Sequence, residues 1–153
     1  MERIGYDYAT FVEDLKTLAD RMEADFDAIV AVARGGMTMA HMLGEYWDIR
    51  EVFVINSVGY EGTEKLASPT VFNVPQLAGF RRVLVVDDIA DSGETLDAVT
   101  KVLQKSFPDT AFATATLFYK PEKSIVEPDY WLKRADAWID FFWSDDLKRV
   151  IGH

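Results

Sequence analysis

The sequence predicts an α/β domain with a mostly parallel central sheet flanked by helices. Two observations carry the prediction. Short apolar runs at 28–32, 52–55 and 83–86 alternate with stretches whose apolar residues recur at helical spacing. No internal repeat, low-complexity tract or Pro/Gly-rich linker interrupts the 153 residues, so residues 1–153 read as one domain. A chain of this length buries roughly two-thirds of its unfolded surface on folding.

The elements follow in order. Phe11, Leu15, Leu18 and Met22 fall on one face of an amphipathic helix. Ala28 to Val32 is a short buried strand, stopped at Ala33-Arg34-Gly35-Gly36, and Met37 to about Tyr46 is a second helix. Val52 to Ile55 is a second buried strand. The stretch SVGYEGTEKLASP that follows is polar and without periodicity, and it predicts a mobile loop. Val71 to Val74 returns as a short strand. Val83 to Val86 is the most apolar strand, and Thr95 to Lys105 is a helix with Leu96, Val99, Val102 and Leu103 turned inward. Phe112 to Tyr119 alternates into another strand that ends at Lys120-Pro121.

Strands separated by helices give a parallel sheet covered on both faces. Ligands bind such sheets outside the carboxyl ends of the strands. Arg34-Gly35-Gly36, Asp87 to Thr95 and Lys120 all fall on that rim.

Composition narrows the functions. The chain has no cysteine, hence no disulfide framework and no thiolate metal site, and it fits a reducing cytoplasm. A formal net charge of -10 argues against a nucleic-acid or anionic-membrane surface. The opening MERIGYDYATFVEDLK does not read as a signal peptide, and no run approaches the ~20 apolar residues of a membrane span.

The most informative string is VLVVDDIADSGETL at 83–96. A strand-loop-helix turn with Ser92, Gly93 and Thr95 aims backbone N–H groups at a phosphate over the positive end of the next helix. Acids at a strand end suit ribose hydroxyls or the waters of a magnesium ion. Alone, Asp87-Asp88 could be a solvated strand end, and Asp91 or Ser92 a helix cap. The whole string favours a sugar-phosphate site. A nucleotide-hydrolase reading lacks its G-x-x-x-x-G-K-[ST] loop. The string ARGG at 33–36 suits either a strand-to-helix turn with a surface arginine or an anion-binding nest.

The 83–96 string resembles the phosphoribosyl pyrophosphate (PRPP) motif of type I phosphoribosyltransferases, with Ser92 where threonine is commoner. The Lys120-Pro121 strand end, followed by AWIDFFW at 137–143, is similar to bacterial xanthine-guanine phosphoribosyltransferases. The resemblance implies the type I phosphoribosyltransferase fold, with a small base-binding hood formed by the C-terminal residues 120–153. It implies PRPP and ribose-phosphate binding by Asp87, Asp88, Ala90, Asp91, Ser92, Gly93, Glu94 and Thr95. By the same carry-over Arg34, Gly35 and Gly36 hold pyrophosphate, and the Ala33–Arg34 peptide is the candidate for a cis bond. Lys120 reads the purine 6-oxo group, Trp138 stacks on the ring, and main-chain groups near Trp138 and Ile139 meet position 2. Asp140 has no assigned role, and Phe142 and Trp143 read as packing.

The activity implied is transfer of the 5-phosphoribosyl group from PRPP to guanine, xanthine or hypoxanthine. The products are the nucleoside monophosphate and pyrophosphate. Mg²⁺ is the implied cofactor, carried with Asp87 and Asp88. Asp91 is the implied general base, taking the proton from purine N7. The 57–68 loop is expected to close over the site, with its Ser-Tyr pair split as Ser57-Val58-Gly59-Tyr60 and Lys65 as a phosphate contact. A homo-oligomer, dimer or tetramer, is expected, with Phe141 and Trp47 as exposed aromatics. Competing readings are a PRPP- or nucleotide-sensing regulator with the same fold, or a pyrimidine phosphoribosyltransferase. The chain carries the base, the lysine and the tryptophan, which disfavours both.

Overall fold

The architecture is that of a computed structural model, which describes residues 2–22, 25–61 and 64–150, with the backbone alone for residues 60, 61 and 64–66. In chain order the elements are β1 (Arg3–Tyr6), α1 (Tyr8–Arg21), β2 (Ala28–Ala33), α2 (Met37–Trp47), β3 (Val52–Glu61) and β4 (Glu64–Phe72). They continue with β5 (Arg82–Ala90), α3 (Glu94–Ser106), β6 (Ala111–Tyr119), β7 (Tyr130–Arg134), β8 (Trp138–Phe141) and α4 (Phe142–Asp145). A 3₁₀ turn at Leu147–Arg149 follows.

The central sheet has the order β4-β3-β2-β5-β6-β7. Every pairing in it is parallel except β3 with β4. Side chains along a strand alternate between faces, and both faces of β2 and β5 are covered. Ile29, Ala31, Leu84 and Val86 pack with Phe11, Leu18, Met39 and Leu43 of α1 and α2. Ala28, Val30, Val32, Val83 and Val85 pack with Leu96, Val99 and Leu103 of α3. That two-sided burial is why these strands read as unbroken apolar runs. Asp7 caps α1 by accepting from the Thr10 N–H at 2.8 Å.

From β2 the chain crosses to β3 on one side, whereas from β5 it crosses to β6 on the other. The adjacent carboxyl ends of β2 and β5 therefore form a topological switch point, the place where ligands enter open α/β sheets.

Three expectations need correction. The 57–68 segment is not a structureless loop: β3 and β4 form a long antiparallel hairpin, with a register shift between Val58 and Tyr60. A backbone ladder joins the two strands, and Ile55 alone of their described side chains is buried, so no apolar alternation marks them. The expected Lys65 contact and the role of Tyr60 lie outside the described side chains. Second, residues 120–153 are not all hood. β7 extends the central sheet beside β6, and β8 pairs in parallel with β1 in a separate two-stranded sheet. Third, Phe141 is buried and stacks on Trp143 at 4.7 Å, while Trp47 is half-buried against Phe26. Neither is an exposed aromatic.

Candidate active site

The turn after β2 is built to lie against β5. A Cβ on Gly36 would stand 2.2 Å from the Val86 carbonyl oxygen, so only glycine lets the two backbones approach this closely. A Cβ on Gly35 would meet the Asp88 carboxyl at 2.5 Å, which places that acid directly against the Gly35 backbone. The Ala33–Arg34 peptide is cis, as the resemblance implied. The Arg34 side chain is exposed and makes no hydrogen bond or ion pair among the described residues. Gly35 and Gly36 thus sit beside the acid pair, with Arg34 immediately before them.

Asp87 and Asp88 end the apolar stretch of β5, and the Asp87 carboxylate accepts the Asp88 N–H at 2.8 Å. By surface area both residues are half-buried, but their carboxyl groups lie deep among protein atoms. Burial raises the Asp87 carboxyl well above the ordinary range, and the neighbouring Asp88 charge adds to it. Burial also raises Asp88. Two desolvated acids without a cation are a poor resting arrangement and a good one for hydroxyl groups or a hydrated divalent ion. Among the described residues no three His, Cys, Asp or Glu side chains cluster as a self-sufficient metal site. The donor set therefore fits a magnesium ion that brings most of its ligands with it, as waters and substrate oxygens.

Ala90 is buried at the end of β5, and the loop turns at Gly93, whose φ of 76° and close neighbours suit glycine alone. The N–H of Glu94 donates to Ser92 Oγ at 3.3 Å. Thr95 lies in the first turn of α3, whose Gly93 cap supplies no side-chain hydrogen bond to the helix N–H groups. Those N–H groups and the helix dipole face the rim, an arrangement suited to a phosphate. The loop is braced from the next connection: Lys120 N donates to Ala90 O at 3.0 Å, and Ile125 N to Ser92 O at 2.8 Å.

The same brace brings Lys120 to Asp91. Lys120 Nζ is 3.5 Å and Lys123 Nζ 3.0 Å from Asp91 Oδ1, contacts that are ionic in geometry, since that oxygen receives no well-aligned hydrogen bond. Across from them Trp138, about half exposed, and Ile139, buried, belong to β8. Asp91, Lys120, Trp138 and Ile139 line one cavity of about 340 Å³ together with Arg3 and Asp140. Asp88 lines that cavity too, whereas Arg34 to Gly36 lie in the turn that follows β2, and Ser92 to Thr95 run from the turn after β5 into α3. A larger hollow of about 490 Å³ around His41 and Arg50 lies at the carboxyl end of α2 and the start of β3, away from these residues.

The sequence reading missed Arg3 and Lys123. Arg3 binds Asp140 through two hydrogen bonds of 2.7 and 3.0 Å, and its guanidinium lies 5.9 Å from the centre of the Trp138 ring. Nothing local marks it, because its partner is 137 residues away. Lys123 follows Lys120 by three positions, a spacing that in a turn signals only two solvated lysines.

A phosphoribosyl transferase domain model matches residues 10–148 of the chain. A xanthine-guanine phosphoribosyltransferase of Cereibacter sphaeroides is 31% identical over 147 residues, covering 90% of this chain and 84% of that one. A second of that name, from Gluconobacter oxydans, is 37% identical over 123 residues, covering 77% and 68%. Among solved structures, the Helicobacter pylori xanthine-guanine-hypoxanthine phosphoribosyltransferase superposes with a TM-score of 0.91 at 42% identity, covering 99% of this chain and 100% of that one. A purine phosphoribosyltransferase of Pyrococcus horikoshii gives 0.78 at 32% identity, with 94% of each chain covered.

Proposed function

Since the chain belongs to the phosphoribosyl transferase domain family, we propose that it is a purine-salvage enzyme acting on 6-oxopurines. It transfers the 5-phosphoribosyl group from PRPP to guanine, xanthine or hypoxanthine, releasing the nucleoside monophosphate and pyrophosphate. The observation that carries the reading is the 3.5 Å approach of Lys120 Nζ to Asp91 Oδ1. N7 and O6 project from the same edge of a 6-oxopurine, so a base for one and a donor for the other must be neighbours.

In the reaction purine N9 forms a bond to the anomeric carbon of PRPP, and the bond from that carbon to pyrophosphate breaks. The leaving oxygen takes the bonding pair. The proton on N7 passes to Asp91, a contribution worth about 10²–10⁴-fold for a positioned general base. Lys120 donates to O6, and Trp138 holds the ring plane. Asp87 and Asp88 engage the ribose hydroxyls, and the turn from Ser92 to Thr95 holds the 5-phosphate. Arg34 with the Gly35 and Gly36 amides receives the pyrophosphate as its charge develops. Asp87 and Asp88 would hold a magnesium ion, which when bound would supply charge neutralising the substrate phosphates. The β3–β4 hairpin is the segment this reading assigns as a cover excluding water from PRPP.

The reading places the enzyme in the cytoplasm as a homo-oligomer, supported by the cysteine-free chain and by exposed apolar side chains such as Phe72 and Val74. Its expected partners are small molecules, with no nucleic acid and no integral membrane association; no helix among the described residues is long and apolar enough to cross a membrane. An ultraviolet assay with PRPP, Mg²⁺ and each of guanine, xanthine, hypoxanthine, adenine and uracil tests it. Conversion of the three 6-oxopurines but not adenine is expected. Equal use of adenine, or use of uracil alone, overturns the reading, and PRPP binding without turnover of any base would indicate a sensor.

A further inference from the structure

We propose that the Arg3–Asp140 ion pair reads the substituent at purine position 2, Arg3 donating to a 2-oxo group and Asp140 accepting from a 2-amino group. The inference rests on the 6-oxopurine reading above; it adds Arg3, which neither the motif nor the resemblance supplied, and gives a role to Asp140, which had none.

Three observations carry it. Arg3 and Asp140 line the same cavity as Asp91, Lys120 and Trp138. They do so from the hood, whereas Asp91 and Lys120 come from the carboxyl ends of β5 and β6. Trp138 and Asp140 alternate along β8 with the buried Ile139 and Phe141, and Arg3 is the register partner of Trp138 on β1. These three side chains thus share the outward face of the small sheet. A 6-oxopurine whose N7 and O6 meet Asp91 and Lys120 points C2 away from them, because C2 is the far corner of the six-membered ring. That corner meets the hood wall.

The pair has the right unused valences. Arg3 spends Nε and one terminal nitrogen on Asp140, at 3.0 and 2.7 Å. The other terminal nitrogen keeps both N–H groups without a partner among the described residues. Each Asp140 oxygen accepts one of these N–H groups; the Trp138 indole N–H also approaches the carboxylate, and one further acceptor site remains. The Arg3 hydrogen bond holds the Asp140 carboxyl below the usual carboxylate range, so it stays an acceptor. A donor and an acceptor side by side suit xanthine and guanine alike, whereas hypoxanthine, with hydrogen at C2, uses neither.

The test compares kcat/KM for xanthine, guanine and hypoxanthine in the wild type and in Arg3→Met, Arg3→Lys and Asp140→Asn. In Arg3→Met the xanthine-to-hypoxanthine ratio should fall about tenfold, as for loss of a charged donor, while the guanine-to-hypoxanthine ratio does not fall. Arg3→Lys should restore part of the xanthine ratio, and Asp140→Asn should lower the guanine ratio. Backbone pairing holds the hood independently, as in the 3.0 Å bond from Trp138 N to Glu2 O. Unchanged ratios, or an equal loss for all three purines, would overturn the proposal and leave the 6-oxopurine function standing. A wild-type protein inactive on all three would overturn both.

Discussion

Lys120 Nζ and Asp91 Oδ1 stand 3.5 Å apart, although they belong to the ends of two different strands. Lys123 adds a second cation at 3.0 Å. Two lysines thus face the carboxylate at the wall of the purine cavity. Asp91→Asn keeps the shape and removes the proton acceptor. Steady-state turnover should drop by about 10²–10⁴-fold, while the PRPP dissociation constant from calorimetry stays within about threefold. Unchanged turnover would remove Asp91 from the chemistry.

On the proposed reading Lys120 is the group that selects the substituent at position 6. Replacing it by methionine removes a charged donor worth about 1.5–3 kcal/mol. For guanine kcat/KM should fall by about 10–100-fold, and the preference for guanine over adenine should shrink by a similar factor. Competition assays with both purines present read that ratio directly.

Burial makes the acid pair costly for the ligand-free protein. The Asp87 carboxyl is raised above its ordinary 3.8, so between 3.8 and the raised value the folded state binds more protons than the unfolded one. Its stabilising contribution is full below 3.8 and is lost as pH rises through the raised value. Asp87→Asn removes that loss. The variant should melt higher than wild type at neutral pH, with the difference narrowing toward acid pH. With PRPP and Mg²⁺ present the order should reverse, because the wild type alone recovers the charge of its acids in binding.

Gly36→Ala sets a methyl group against the backbone of β5, 2.2 Å from a carbonyl oxygen that cannot swing away. Overpacking of this kind costs about 1–3 kcal/mol or more. Urea denaturation should show a lower midpoint at an unchanged slope. A midpoint equal to that of wild type would contradict the close approach.

Some of this was legible in the sequence for definite reasons. β2 and β5 are covered on both faces, so their burial appears as continuous apolar runs. The 87–95 string runs from the end of β5 through one turn into α3, where Gly93 and the hydroxyl residues have meaning at short range. Of the β3–β4 hairpin only the start, at 52–55, and the end, at 71–72, were legible, because the backbone ladder between them leaves no apolar pattern. β7 was hidden similarly, as a half-exposed edge strand. Arg3 escaped because its meaning depends on Asp140, and only the pairing of β1 with β8 brings the two together.

That pairing has a consequence for the order in which the molecule assembles. The purine cavity is closed by strands 137 residues apart, as the Arg3–Asp140 contact measures it. The central sheet and its helices form by crossovers of modest length, whereas joining such distant segments carries a larger loop-closure entropy. The base pocket should therefore be among the last parts to form during refolding and among the first to open in native-state hydrogen exchange. Amides of β1 and β8 should exchange through local opening while those of β2 and β5 wait for global unfolding. The region that recognises the base would then sit at the loosest seam of the fold, over a rigid floor that holds the sugar and its phosphates.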